Sequence, residues 1–320
     1  MKAHTRIVLH GKQADNASLR TAISALRDQG ISVDVAVTWE PGDAIRLTEE
    51  AIRLGVGNVV AAGGDGSINA VVQGMANQAA REEKADLPTL GILPLGTAND
   101  FARSASIPSD LELALGVACL GTPFPVDVAH HGKRAFLNVA TGGFGTEVTT
   151  DTPENLKKVL GAAAYFITGL VKLGAVASKH ARVSVGDFSW QGRFVMIGIG
   201  NARAAGGGRL LCPDAIIDDG LLDVALLPQQ SEEELPSVLG ELSRSGFGAF
   251  GEHVVFARGA HVRLESEEEL TLNFDGEPVT ERSFSLEVWP RLVEVRLPDD
   301  CPLLTDSFRA GGSSEEPNGA

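Results

Sequence analysis

Cysteine is scarce in this chain of 320 residues: Cys119, Cys212 and Cys301 are scattered, odd in number and without metal-ligand spacing, which argues against a disulfide framework. The seven histidines form no H-x-x-H or H-E-x-x-H array, so the usual zinc sites are not expected. Positive charge is also short. With 27 Lys and Arg against 42 Asp and Glu, the net charge is −15, which argues against nucleic acid as a partner and leaves no basic stripe for an anionic membrane. Long apolar runs are missing too. Val159 to Ala177, which holds GAAAYFITGLV, comes nearest to a membrane span. Lys172 interrupts it and its alanines and glycines keep it weakly hydrophobic, so a buried helix is expected, with docking on lipid as the alternative. No cleavable signal stands at Met1 to Gly11, where the apolar core Ile7-Val8-Leu9 is strand-sized. The composition suits a soluble cytoplasmic protein, with peripheral attachment to a membrane as a further option.

Two nucleotide-binding signatures do not fit the first glycine turn. The chain has no Walker pattern G-x-x-x-x-G-K-S/T, and the spacing of Gly63, Gly64 and Gly66 is not the dinucleotide pattern G-x-G-x-x-G. What it does have is Asn58 to Gly74, NVVAAGGDGSINAVVQG, an apolar strand that runs into Gly63-Gly64-Asp65-Gly66-Ser67 and out into a helix. Such a turn aims free N–H groups and a helix N-terminus at an anion, although similar turns also occur in α/β proteins without a ligand. Ile68, Val71, Val72 and Met75 recur at helical spacing and would face the sheet, with Gly74 a mild weakness. A second strand and turn follows in Leu90 to Arg103, LGILPLGTANDFAR, where Asp100 is placed to cap its helix and Thr97 and Asn99 offer uncharged hydrogen bonds. In an open α/β sheet both loops would face one crevice at the strand C-termini.

Alternating strands and helices over the first 128 residues predict a parallel sheet flanked by helices, with Asp43 capping the helix Gly42 to Leu54. From about residue 129 to 304 short strands with period-2 alternation predict a mainly antiparallel β-sandwich, interrupted by helices near Asn155 to Lys172 and Ser231 to Ser245. The last segment, 305–320, is rich in Gly, Ser, Glu and Pro and reads as a disordered tail. Two domains suit the length, because single cores rarely grow beyond roughly 250 residues.

Taken in order, GGDGS with Asn69 after it, LPLGTANDFA and the later DGEP at Asp275 to Pro278 resemble the diacylglycerol kinase catalytic domain superfamily, which also contains the sphingosine kinases and the bacterial YegS-like lipid kinases. The resemblance to the YegS-like group spans nearly the whole chain, through VTWEPGDA at Val37 to Ala44, ATGGFGTEVTT at Ala140 to Thr150 and RLPDDCPLL at Arg296 to Leu304. It implies an ATP-dependent, Mg2+-requiring kinase of a lipid hydroxyl, such as that of diacylglycerol or phosphatidylglycerol, with the nucleotide between the two domains and the lipid met at a membrane surface. It assigns no oligomeric state.

Carried over position by position, the resemblance implies ATP contacts at Thr38, Gly64, Asp65, Gly66, Ser67, Ile68, Asn69, Ala70 and Thr97. The family usually has threonine where Ser67 stands, which keeps the hydroxyl, and commonly glutamate where Ala70 stands, which removes a carboxylate. Glu277 would be the catalytic base, although spacing alone favours a plain D-G turn with Asp275 and Glu277 facing water, a preference that the resemblance reverses. Asp275 would support it or hold a cation-bound water. Asp65 would reach the phosphates through Mg2+, orient the loop, or bond the N–H groups of its own turn. A second cation, Mg2+ or alternatively Ca2+, is implied at Asp219 with the carbonyls of Ile216 and Leu221, against a plain β-turn of solvated aspartates. An NAD kinase, which shares GGDG, and a non-catalytic lipid- or nucleotide-binding regulator are the rival readings.

Overall fold

The computed structural model describes residues 4–82, 86–143, 178–231, 233–234, 237–238 and 253–305. The expected helix near 155–172, most of the helix near 231–245 and the tail beyond 305 lie outside the described residues.

The first part builds β1 (Thr5–Leu9), α1 (Ala17–Asp28), β2 (Val33–Val37), α2 (Asp43–Arg53), β3 (Asn58–Gly63), α3 (Asp65–Arg81), β4 (Thr89–Pro94), α4 (Asp100–Ser104) and α5 (Leu111–Leu120). The four strands pair in parallel in the order β4-β3-β1-β2. Every residue of β3 is buried, as a central strand covered on both faces requires, and each valine fully withdrawn from water contributes about 1.5–3 kcal/mol. Helix α3 buries Ile68, Val71, Val72 and Met75, the stripe that the spacing predicts. Its Gly74 has a packing reason: a Cβ there would stand 2.9 Å from Thr48 Cβ and 3.0 Å from Ile45 O, so α2 and α3 cross at a glycine.

The second part adds β5 (Thr122–His131), β6 (Arg134–Phe136), β7 (Val139–Gly143), β8 (Lys179–Val185), β9 (Phe188–Gly200), β10 (Ala204–Ala205), β11 (Arg209–Leu210), β12 (Leu222–Pro228), β13 (Val255–Gly259), β14 (His261–Phe274) and β15 (Glu277–Leu297). Its strands pair antiparallel, and β15 joins the halves: it pairs antiparallel with β14 and β5, and at Val295↔Leu90 it runs parallel to β4. One sheet therefore passes through both parts, with one hydrophobic core around the parallel strands and two around the antiparallel ones. In place of the short strands expected here, His261–Phe274 is one long strand, β14, with an irregular register between Glu265 and Leu270.

Asp43 does not cap α2. The N-cap is Gly42 in a left-handed conformation, and the Asp43 carboxylate instead accepts from the N–H groups of Trp39 and Glu40 and from Arg46. These bonds, the Arg46 one foremost, bring its pKa down to about 2.

Candidate functional site

The register Gly63↔Pro94 between β3 and β4 sets the two glycine loops side by side. A Cβ on Gly96 would collide with Gly64 Cα and lie 3.1 Å from Gly64 N, so the loops touch main chain to main chain. At the start of α3, Gly64 O accepts from Ser67 N and Ile68 N at 2.9 and 3.1 Å. Among the described residues the N–H groups of Asp65 and Gly66 have no acceptor, which leaves donors at the positive end of a 17-residue helix.

The Asp65 carboxylate crosses to the second loop, where it accepts from Asp100 N and Phe101 N at 3.0 Å each. It does not bond its own turn. Helix α4 needs this help: its N-cap Asn99 sits at φ 52°, and its amide is taken by Gly96 N and Gly96 O. Asp100, expected to cap its own helix, turns away and accepts from Gly207 N and Gly208 N, between β10 and β11. Asp65 thus ties loop to loop, and Asp100 ties the second loop to the second part of the chain.

Below these loops lies a cleft of about 1040 Å³. Of the positions the sequence singles out, Thr38, Gly64, Gly66, Ser67, Asn69, Ala70 and Glu277 line it. Asp65, Ile68 and Thr97 do not: Asp65 faces α4, Ile68 is buried in the core beneath α3, and Thr97 is exposed. The Thr38 hydroxyl oxygen accepts from Gly11 N at 3.1 Å, linking the ends of β1 and β2. Asn69 keeps a buried side-chain oxygen without a partner among the described residues.

His10, Lys12, Trp39, Gln73 and Arg134 also line the cleft, and the sequence reading passed over all five. His10 directly follows β1 and Trp39 comes two residues after β2, so the rule that ligands sit at the C-terminal ends of parallel strands would have found them. Arg134 has no such signal, because it comes from the antiparallel part.

From the antiparallel part, Asp275 and Glu277 on the β14–β15 hairpin also line the cleft. Its two turn residues, Asp275 and Gly276, both have positive φ (48° and 104°), as the two-residue D-G hairpin requires. The Asp275 carboxylate accepts from Leu137 N, Asn138 N and Val139 N at 3.0–3.1 Å, so it fixes the hairpin to the β6–β7 connection. Burial pushes its pKa up to about 6 against the pull of those N–H groups, and the Asp65 charge adds to the rise. Glu277 is exposed to the cleft, and among the described residues nothing ties its carboxylate.

Ile216, Asp219 and Leu221 lie together in the turn before β12. Asp219 Oδ1 accepts from Leu221 N at 3.0 Å and Oδ2 lies 3.9 Å from Arg258, whose hydrogen bonds go to the Asp214 carbonyl and to the Asp223 carboxylate. Burial raises the Asp219 pKa, opposed by the Leu221 N–H and Arg258. Among the described residues no three acidic, histidine or cysteine side chains converge on a metal-sized site. A hard cation here fits only as an ion held by one carboxylate and main-chain carbonyls, with water completing its shell.

Two family descriptions match the chain: "Diacylglycerol kinase catalytic domain" over residues 6–131 and "YegS C-terminal NAD kinase beta sandwich-like domain" over residues 139–297. A "Probable lipid kinase YegS-like" protein of Xanthomonas oryzae pv. oryzae is 48% identical over 307 residues, covering 94% of this chain and 98% of that protein. One of the same name from Yersinia pestis is 44% identical over 302 residues, 94% and 99% of the two chains. The crystal structure of a diacylglycerol kinase from Bacillus anthracis str. Sterne has the same fold, with a TM-score of 0.73 at 20% identity over 95% of this chain and 98% of that one. By sequence identity along almost its whole length and by both of its matched regions, the chain belongs to the YegS-like family.

Proposed function

We infer that this protein is an ATP-dependent lipid kinase. The observation that carries the reading is a cleft lined both by the first glycine loop, itself in main-chain contact with the second, and by an untethered carboxylate, Glu277. On this reading the nucleotide-binding domain is residues 1–128 and the lipid-binding domain 129–304; the change from parallel pairing in β1–β4 to antiparallel pairing in β5, Thr122–His131, supports a division in this region.

The N-terminus of α3 and the N–H groups of Asp65 and Gly66 receive the phosphates, with Ser67 supplying a hydroxyl. Thr38, at the end of β2, and Asn69 hold the rest of the nucleotide. Ile68 and Ala70 shape the helix behind the phosphates, Asp65 acts by holding the second loop, and Thr97 reaches the nucleotide from that loop's exposed side. The acceptor lipid enters from a membrane surface, the protein itself being cytoplasmic; no helix of the described residues is long and apolar enough to span a membrane. The lipid hydroxyl oxygen forms a bond to the γ-phosphorus as the bond to the β–γ bridging oxygen breaks. The electron pair leaves on ADP, and the hydroxyl proton passes to Glu277. Mg2+ bound to the triphosphate would neutralise charge on its oxygens, and a second Mg2+ or Ca2+ at Ile216, Asp219 and Leu221 would be structural.

Transfer from labelled ATP to diacylglycerol, phosphatidylglycerol and a sphingoid base in mixed micelles tests the reading, with NAD as a parallel acceptor. Label in one lipid, reduced about 10²–10⁴-fold by Glu277→Gln with ATP binding kept, is the expected result. Label in NAD alone would establish the NAD kinase reading, and ATP binding without transfer to any acceptor would favour a regulator.

A further inference from the structure

Arg134 is the basic residue that the antiparallel part contributes to the cleft, and its placement is built. It stands at the start of β6, opposite His131 across a two-residue turn in which Gly132 has φ 56°. Gln73 brackets it: Nε2 donates to Lys133 O and Oε1 accepts from Ala135 N, both at 2.9 Å. Gln73 lies on α3 two turns beyond Gly66, so the helix that opens on the phosphate turn also holds the hairpin that carries Arg134.

The cleft offers this guanidinium three carboxylates, Glu40, Asp275 and Glu277. Among the described residues none of them pairs with it: Asp275 spends its oxygens on three main-chain N–H groups, and Glu277 is untied. In a chain of net charge −15, an unpaired arginine facing a cleft of this kind is suited to an anion that arrives with a ligand.

We propose that Arg134 is a catalytic residue whose guanidinium, set in place by Gln73, contacts the γ-phosphate of bound ATP and takes up charge on the transferring phosphoryl group. The assignment rests on the kinase reading and adds no bond change to the transfer already described. Its counterpart is Glu277: one side chain of the second domain withdraws the proton and another balances the phosphoryl oxygens. Because ADP lacks the group that Arg134 contacts, the arginine distinguishes ATP from ADP, which a merely structural residue would not.

The test is titration of ATP and of ADP into wild type, Arg134→Ala, Arg134→Lys and Gln73→Ala, together with lipid turnover. Arg134→Ala is expected to weaken ATP on the order of tenfold and leave ADP unchanged, the loss of one charge-assisted contact. Turnover should fall by ~100-fold or more, as when a single donor to transition-state charge is removed. Arg134→Lys should recover part of both, and Gln73→Ala should show the same selective loss in smaller measure. Equal changes for ATP and ADP, or turnover within about twofold of wild type in a folded Arg134→Ala protein, overturn the assignment and leave the kinase reading standing on wild-type transfer. Absence of nucleotide binding by the wild type overturns both.

Discussion

Replacing Asp65 by alanine separates two roles that its position allows. In the structure its oxygens are the acceptors for Asp100 N and Phe101 N, both at 3.0 Å, and α4 has no side-chain cap of its own. Hydrogen bonds to a charged acceptor contribute about 1.5–3 kcal/mol each, and the half-buried setting puts these at the lower end, so Asp65→Ala should cost about 3 kcal/mol. Asp65→Asn keeps one acceptor oxygen and should cost about half as much, ~1.5 kcal/mol. The assay is urea unfolding without nucleotide or metal, where a lower midpoint at unchanged slope isolates a stability loss. Mg-ATP affinity should fall in the same order, because the second glycine loop is released. If Asp65→Ala unfolds within about 0.5 kcal/mol of wild type while Mg-ATP binding collapses, the carboxylate acts through the cation and the loop-tying argument is refuted.

Asp275 should give the pH dependence its own limb. Its pKa is about 6 in the folded protein against 3.8 for the free side chain, so the folded state binds the extra proton between these values. This group's contribution to stability therefore falls as pH rises from about 4 to 6 and is constant above, and Asp275→Asn should flatten that window in a plot of unfolding free energy against pH. Gly96→Ala should force the two glycine loops apart at a cost of about 1–3 kcal/mol in thermal or urea unfolding and weaken nucleotide binding; a variant with wild-type values for both would show the loop contact to be dispensable. Mg2+ or Ca2+ added without nucleotide should raise the melting temperature of the wild type, by the equivalent of about 2.7 kcal/mol at a hundredfold excess over Kd, and not that of Asp219→Asn. Equal shifts in the two proteins would remove the second cation site.

The parallel half was legible because its information is local. Continuous apolar runs, helical spacing in α3 and glycines after β3 and β4 each depend on neighbours within a few residues, and the strand-end rule then placed both glycine loops at one crevice. The aspartates were read less well, since a carboxylate near a turn has several N–H groups within reach and sequence spacing does not rank them. Asp43, Asp65, Asp100 and Asp275 all bond main-chain donors, and the last three reach 35, 107 and 136 residues or more along the chain.

The sequence by itself therefore determined the parallel strands, the glycine turns and the family resemblance, and through that resemblance proposed Glu277 as a base. Tertiary structure alone decided that β15 carries one sheet through both parts, that Asp65 ties two loops together, and that Arg134 enters the cleft on a hairpin held by Gln73. The physical reason is that propensity and periodicity act along the chain, whereas these placements follow from strand register and from donors left unpaired by the backbone, which exist only once distant segments have met.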